Sequence, residues 1–286
     1  MVYKMIGSNQ SRITRFVDIA KQAGQIALRD FKLGKTTLAD ISYKNGGSPV
    51  TSADIAVNTY LENACEEAFS DYAWFSEETL DTPHRLQKHK LIIADPIDGT
   101  RAYAAGNPNW CVSLAMIEHG RPILGCLYAP ALDELYVASQ GEGATLNGKS
   151  LTFFSEAFDF ETHVEAPVFG PKPMVDWLNS SLNLKLNMQP KVPSLALRLA
   201  QIAVECISSG STKIGLAKIG LASQNAHDWD IAAADLILCE AGGTLLDFKG
   251  QKPIYNKAEP THPPLFAASH SVAEALLQRL SELEAA

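Results

Sequence analysis

The chain has 286 residues, of which 46% are hydrophobic and 20% are charged, and its formal net charge is −8. A chain of this size and composition buries a large core unaided, which excludes disordered, collagen-like and miniature disulfide-rich proteins. The acidic balance argues against direct nucleic-acid or membrane binding, and no apolar stretch is long enough to span a bilayer. Five widely spaced cysteines and the lack of a secretory signal predict a cytoplasmic protein without disulfides or a zinc site.

The N-terminal half is predicted to contain two helices followed by a run of strands. Apolar residues recur with a helical period from about Ser11 to Phe31, and Thr51 or Ser52 is placed to cap a second helix. Lys90 to Ala94 is typical of a buried strand, which we expect to end at Asp95-Pro96. Further strand-like runs, which together predict an antiparallel meander, lie at residues 110–118, 122–128 and 134–138.

The C-terminal half alternates strands and helices. A strand is predicted near His163 to Phe169, and helices are predicted from Ser194 to about Ile207 and from Asp228 to Ala241, with Asp228 as N-cap. A last helix spans roughly Val272 to Leu283. This mixture predicts a layered α/β (α+β) fold with a boundary near Ser150, which separates an N-terminal domain, 1–150, from a C-terminal domain, 151–286.

The segment Asp95-Pro96-Ile97-Asp98-Gly99-Thr100 carries the strongest chemical signal. Two carboxylates three residues apart at a strand end could converge on one cation, and the carbonyl oxygen of Ile97 could join them. Hard oxygen ligands suit Mg²⁺. The main-chain N–H groups of Gly99 and Thr100 would favour a bound phosphate, although an Asp-Pro turn followed by ordinary turn residues explains the same letters.

Three other segments occur in a fixed order around it: Val50-Thr51-Ser52-Ala53-Asp54, Trp74-Phe75-Ser76-Glu77-Glu78 and Trp229-Asp230. With Asp95 to Thr100, they resemble the motifs of the inositol monophosphatase superfamily, the lithium-sensitive, Mg²⁺-dependent phosphatases. The resemblance extends from about residue 11 to residue 270. It implies the α-β-α-β-α sandwich of the inositol monophosphatase and fructose-1,6-bisphosphatase fold.

The resemblance also implies roles for individual residues. Glu77, Asp95 and the Ile97 carbonyl would hold one metal ion, while Asp95, Asp98 and Asp230 would hold another. Thr100, Glu77 and Asp54 would form the catalytic group that positions and activates the attacking water. The expected substrate contacts are Asp98, Gly99, Thr100 and Asp230. We expect two or three Mg²⁺ ions, with Mn²⁺ as a substitute and Li⁺ or Ca²⁺ as inhibitors, in a homodimer that acts on a small phosphorylated metabolite.

The substrate is the least determined feature. Inositol monophosphatases resemble one another in a glutamate four residues before the His of their His-x-Trp-Asp motif, where this chain has Ser223. The segment Asp98 to Tyr103 looks like that of 3′(2′),5′-bisphosphate nucleotidases and histidinol-phosphate phosphatases, which stay as alternatives to a polyol phosphatase such as one acting on myo-inositol monophosphate. A regulatory protein that acts through a protein partner is the alternative of another class, and the intact set of acidic residues favours an enzyme over it.

Overall fold

The computed structural model describes residues 2–44, 46–153, 158–160, 166–204 and 218–285. The helices are α1 Val2–Leu28, α2 Ser52–Ala68, α3 Thr100–Ala104, α4 Lys172–Ser181, α5 Leu195–Ala200, α6 Asp228–Glu240 and α7 His270–Ala285, with 3₁₀ turns at Pro83–Gln87 and Gln201–Ala203. The strands are β1 Ile41–Tyr43, β2 Pro49–Thr51, β3 Ala73–Ser76, β4 Lys90–Asp98, β5 Cys111–Glu118, β6 Arg121–Ala129, β7 Glu134–Ser139, β8 Gly143–Leu146, β9 Lys149–Leu151, β10 Ala166–Phe169, β11 Leu186–Met188, β12 Ile219–Ala222, β13 Ala226–His227, β14 Gly243–Asp247, β15 Thr261–His262 and β16 Leu265–Ser269.

Two large sheets organise the chain. The first has seven strands in the order β3-β4-β5-β6-β7-β8-β9, in which β3 and β4 are parallel and all later pairs are antiparallel. The second has five strands in the order β11-β10-β12-β16-β14, in which β16 runs antiparallel to both of its neighbours. The pairs β1-β2 and β13-β15 form small ribbons. The meander predicted for residues 110–138 is confirmed.

The layers follow from the alternation of side chains along the strands. Ile92 and Ala94 of β4 pack with α1 and α2, whereas Leu91 and Ile93 point to the opposite face and pack with α5 and α6. Helices α5 and α6 also contact the second sheet, whose other face is covered by α4 and α7. The order is therefore helix, sheet, helix, sheet, helix, which confirms the predicted sandwich.

Helix α6 lies in the central layer, against β4, β5 and β6. Its buried face is rich in alanine, and it approaches the sheet closely at Gly125 of β6, where an added Cβ would lie 2.9 Å from the carbonyl oxygen of Ala233. Only glycine allows this spacing. None of the helices in the described residues is both long and apolar enough to cross a bilayer.

The end predicted for the buried strand is wrong. β4 continues through Asp95 and Pro96 to Asp98. Asp95 pairs with Ser113 and Asp98 pairs with Cys111, so β4 has one residue more than β5 over this interval. Such a bulge suits Pro96, which has no N–H to give to the ladder.

Other boundaries differ as well. α1 begins and ends earlier than predicted, and the helix predicted from Ser194 gives way to a 3₁₀ turn after Ala200. The end of that prediction, at residue 207, and residues 161–165 of the strand predicted near His163 lie outside the described residues. Asp228 is not an N-cap, because His227 occupies that position and Asp228 is the first residue of α6.

Candidate active site

The bulge in β4 places two carboxylates opposite the start of α6. Asp95, Asp98 and Asp230 each offer one oxygen atom, and these three atoms all lie within 4.8 Å of one another. Asp95 and Asp98 are buried, and Asp230 is partly buried. Residues separated by 132 positions along the chain thus form one acidic group, which we call the carboxylate cluster.

Asp98 is held by the start of α5. Its Oδ2 accepts hydrogen bonds from Ser194 Oγ at 2.5 Å and Ala196 N at 2.7 Å, and its Oδ1 accepts one from Leu195 N at 3.3 Å. The next residue, Gly99, has a left-handed backbone (φ 95°), and a Cβ there would come within 3.2 Å of the Asn109 carbonyl oxygen. Glycine at this position therefore lets the chain turn directly from the cluster into α3.

The other two members of the cluster are oriented by main-chain N–H groups. Asp95 Oδ1 accepts a hydrogen bond from Ile97 N at 3.0 Å within the bulge. Asp230 Oδ2 accepts one from His227 N at 2.7 Å, which makes Asp230 part of the N-terminal cap of α6. Each of these bonds fixes a carboxylate of the cluster to the main chain within three residues.

Without a bound cation, the negative charges of the carboxylate cluster repel one another. Burial raises the pKa of Asp95 well above its usual range, and the charges of Glu77, Asp98 and Asp230 raise it further. Burial and the charge of Asp98 likewise raise the pKa of Asp230. A cation would remove this repulsion, and an all-oxygen donor set fits a hard divalent ion such as Mg²⁺.

Thr100 and Asp54 lie together at the edge of this cluster. Thr100 Oγ1 is 3.1 Å from Asp54 Oδ1 and 3.0 Å from the carbonyl oxygen of Ile97. Asp54 is 1% exposed, and its Oδ2 accepts hydrogen bonds from Thr51 N at 2.8 Å and Thr51 Oγ1 at 2.6 Å, as the capping box of α2. The predicted cap at Thr51 therefore also fixes Asp54 against Thr100.

Glu77 does not belong to the carboxylate cluster. Its Oε1 lies 2.8 Å from Lys44 Nζ, which also lies 2.7 Å from Glu78 Oε1. Burial alone would lower the pKa of Lys44, but its bonds to the two glutamates raise the pKa above the usual value. Sequence reasoning missed Lys44, because nothing in the turn that contains it indicates a partner 33 residues away.

Arg198 of α5 is a second residue that the sequence did not single out. Its guanidinium donates to the carbonyl oxygens of Val192 at 3.3 Å and Leu221 at 3.2 Å, and its buried Nε has no hydrogen-bond partner within the part of the chain that the structure describes. Burial lowers the pKa of Arg198, while the charges of Asp98 and Asp230 act in the opposite direction. Leu221 precedes Ser223 by two residues, and Ser223 is exposed.

Comparison with known proteins identifies the family of this chain. The model of the inositol monophosphatase family matches residues 9–285. The chain is 31% identical to inositol monophosphatase 2 of Solanum lycopersicum over 83% of this chain and 89% of that protein, and 29% identical to the Nus factor SuhB of Xylella fastidiosa over 92% and 91%. The IMPase of Thermotoga maritima has the same fold, with a TM-score of 0.74 at 22% identity over 96% of this chain and 98% of that one.

These relatives carry different functional names, so the family is better determined than the substrate. The family match covers nearly the whole chain, and it includes every residue of the carboxylate cluster as well as Thr100 and Asp54. The chain therefore belongs to the inositol monophosphatase family of phosphatases.

Proposed function

We propose that this protein is a Mg²⁺-dependent phosphomonoesterase that hydrolyses a small phosphorylated polyol such as myo-inositol monophosphate. The observation that carries the proposal is the carboxylate cluster lying beside the Thr100–Asp54 pair. Phosphoryl transfer requires positioning and charge neutralisation more than covalent chemistry from the protein. The carboxylate cluster would hold the cations that neutralise charge, and the Thr100–Asp54 pair would position the attacking water.

Asp95, Asp98 and Asp230 would hold Mg²⁺, with the Ile97 carbonyl and Glu77 as further oxygen ligands. When bound, Mg²⁺ would supply positive charge for the phosphate oxygens and the leaving group, and it would lower the pKa of a coordinated water below the ~16 of bulk water. Lys44 Nζ is bonded to Oε1 of Glu77, and its positive charge would compete with a metal ion for that glutamate. We expect Mn²⁺ to replace Mg²⁺, and Li⁺ or Ca²⁺ to inhibit.

The side chains of Thr100 and Asp54 orient the attacking water. When Thr100 donates its hydroxyl proton to Asp54, the lone pairs of the threonine oxygen are free to accept a proton from water. The water oxygen then forms a bond to phosphorus while the bond from phosphorus to the ester oxygen breaks. One proton of the attacking water passes through Thr100 Oγ1 to Asp54, the departing alkoxide takes up a proton from solvent water to become the alcohol, and Asp54 returns its proton to the solvent. Gly99 and Thr100 would contact the phosphate.

The test is phosphate release from purified full-length protein supplied with inositol monophosphate, adenosine 3′,5′-bisphosphate or histidinol phosphate, with and without MgCl₂. We expect release that depends on Mg²⁺ and that falls by a factor of about 10² or more in Asp98→Asn, because that change removes a cluster charge. Release that is independent of metal, or no release from any phosphomonoester, would contradict the proposal.

A second candidate is a phosphomonoesterase whose substrate carries another anionic group. Ser223 stands where inositol monophosphatases have a glutamate, and the Arg198 guanidinium, which has no carboxylate partner among the described residues, bonds to Leu221 on the same strand end. A positive charge there favours a second phosphate and disfavours the ammonium group of histidinol phosphate. Arg198→Met should then lower the ratio of kcat/KM for adenosine 3′,5′-bisphosphate to that for inositol monophosphate by about tenfold.

We also propose, as a non-enzymatic alternative, that the protein acts as a regulator by binding a protein partner. The name of the SuhB relative, a Nus factor, motivates this alternative. Binding of a partner that survives Asp98→Asn would show a role separate from hydrolysis. We also propose that the protein forms a homodimer, for which light scattering of the purified protein should give about twice the 31.0 kDa of one chain.

A further inference from the structure

A buried polar network starts at the first residue of α6. Asp228 is 0% exposed. Its Oδ1 lies 2.8 Å from His262 Nε2, its Oδ2 accepts a hydrogen bond from Asn256 N at 2.9 Å, and its own main-chain N donates to the Pro260 carbonyl oxygen at 2.9 Å. Asp228 is thus tied at three points to the segment 256–262.

Asn256 extends the network to residues 85–88. Its backbone is left-handed (φ 62°), a conformation that asparagine tolerates better than most residues. Its Nδ2 donates to the carbonyl oxygens of Arg85 and Lys88, each at 3.1 Å, and its Oδ1 accepts from Arg85 Nη1 at 2.9 Å. One asparagine therefore joins Asp228 to the 3₁₀ turn that precedes β4.

Arg85 completes the connection. It is 3% exposed and forms two hydrogen bonds with Asp81, at 2.6 and 2.8 Å. Its guanidinium carbon lies 4.2 Å from the centre of the Phe75 ring, which in turn lies 5.2 Å from the ring of Trp229. Since Trp229 stands between Asp228 and Asp230, the ring contacts lead back to the same helical turn.

The network therefore joins the two parts of the chain that supply acidic residues to the site. One part, Glu77 to Asp98, contains Arg85, and the other is the first turn of α6. Residues two apart on a helix point about 200° apart, so Asp228 faces the network while Asp230 faces the carboxylate cluster. Ligand groups bind metal well only when other contacts hold them in place.

We propose that Asp228 is a positioning residue for Asp230: anchored by His262 and, through Asn256, by Arg85, it fixes the first turn of α6 and thereby sets the affinity for Mg²⁺. This inference rests on the proposed function. The carboxylate of Asp228 is bonded to the segment 256–262 and lies outside the carboxylate cluster, so its effect should appear in metal binding more than in turnover at saturating Mg²⁺.

The experiment is isothermal titration calorimetry of the full-length protein with MgCl₂, which gives the Kd for Mg²⁺. Thermal unfolding of the same samples gives their unfolding temperatures. Asp228→Ala should raise the Kd for Mg²⁺ about tenfold or more. Asp228→Asn retains an acceptor for Asn256 N and a donor for His262, so it should stay within about threefold of wild type. Asn256→Gly keeps the left-handed backbone and the N–H bonded to Asp228. It removes three of the four hydrogen bonds that join this segment to Arg85 and Lys88, leaving the bond from Arg85 Nη1 to the Lys257 carbonyl oxygen, and it should raise the Kd by about three- to tenfold.

Asp235 offers a matched control on the same helix. It is also 0% exposed and bonded, to Arg121 Nη2 at 2.9 Å and Tyr255 OH at 3.0 Å, but it lies about 10 Å further along α6. Asp235→Ala should lower the unfolding temperature as Asp228→Ala does, yet leave the Kd within about threefold of wild type.

Wild-type Mg²⁺ affinity in Asp228→Ala, or equal weakening in Asp228→Ala and Asp235→Ala, would overturn the inference. If Asp228→Ala does not fold, Asn256→Gly decides, and an unchanged Kd in that variant overturns it. Wild-type protein that binds no Mg²⁺ would instead overturn the proposed function.

Discussion

Replacing Asp95 with asparagine should stabilise the metal-free protein. The substitution keeps the side-chain volume and the oxygen that accepts a hydrogen bond from Ile97 N. It removes a charge whose partners in Asp98 and Asp230 lie within 4.8 Å, where each ionised pair repels by at least about 3.5 kcal/mol at an effective dielectric constant of ~20. Two such pairs would give about 7 kcal/mol if every group stayed ionised.

Proton uptake limits the repulsion between the carboxylates to less than this sum. A carboxyl group with an unfolded pKa of ~3.9 can be protonated at pH 7.5 for about 5 kcal/mol, so repulsion beyond that is relieved by binding a proton. We therefore expect Asp95→Asn to raise the free energy of unfolding by about 2–5 kcal/mol at pH 7.5 in EDTA. Urea denaturation measures this change in the free energy of unfolding. Asp18→Asn, at an exposed position, is the control for the loss of one negative charge.

The pH dependence has a definite sign. Because the pKa of Asp95 is raised in the folded state, the folded protein binds protons more readily than the unfolded chain. Metal-free wild type should therefore gain stability as the pH falls from 7.5 to 5, and its difference from Asp95→Asn should shrink. MgCl₂ at a hundred times its Kd should stabilise wild type by about 2.7 kcal/mol and the variant much less. Equal or lower stability of metal-free Asp95→Asn at pH 7.5 would refute the reasoning.

Three further predictions concern the neighbours of the cluster. Thr100→Ala should lower kcat by about 10² while Thr100→Ser retains most activity, because only the hydroxyl is needed; steady-state kinetics would contradict this if both variants lost equally. Lys44→Met should tighten Mg²⁺ binding by about threefold, since it frees Glu77 and Glu78, and weaker binding in a MgCl₂ titration would argue against that competition. Gly125→Ala should lower the free energy of unfolding by about 1–3 kcal/mol, because the new Cβ meets the backbone of α6. Gly46→Ala should not, because a Cβ there meets no atom of the described residues within 4 Å.

Local sequence patterns were sufficient to predict the elements in which hydrophobic periodicity and capping or turn residues indicate the same structure. Thr51, one of the two residues predicted to cap the second helix, is the N-cap of α2, and the three strand-like runs after residue 110 form the meander. The ordered acidic motifs predicted the family, and through it the sandwich, which composition and periodicity alone leave as a general α/β fold. The residues of the carboxylate cluster were all named from the sequence, and their ligand roles stay predictions.

Proline and distant partners account for the rest. Pro96 indicates a strand end because it lacks an N–H, but a bulge accommodates that lack inside β4. Pro171 and Pro173 obscured α4, although the first helical turn needs no N–H bond at either position. Asp228 fits the local pattern of an N-cap, and only the fold reveals His262, 34 residues later, as its partner.

The bulge in β4 also determines which substitutions, insertions and deletions this strand can accommodate as related sequences diverge. Register along β4 decides which side chains face α2 and which face α6, and a shift of one residue would exchange the two sets. Substitutions between apolar residues at positions 91–94 preserve that register, whereas an insertion or deletion of one residue between Leu91 and Asp98 would turn Asp95 or Asp98 away from Asp230. Variation in length should therefore be confined to the turns that flank β4, such as the polar segment before Lys90, and sequences that keep the acidic residues should also keep their spacing.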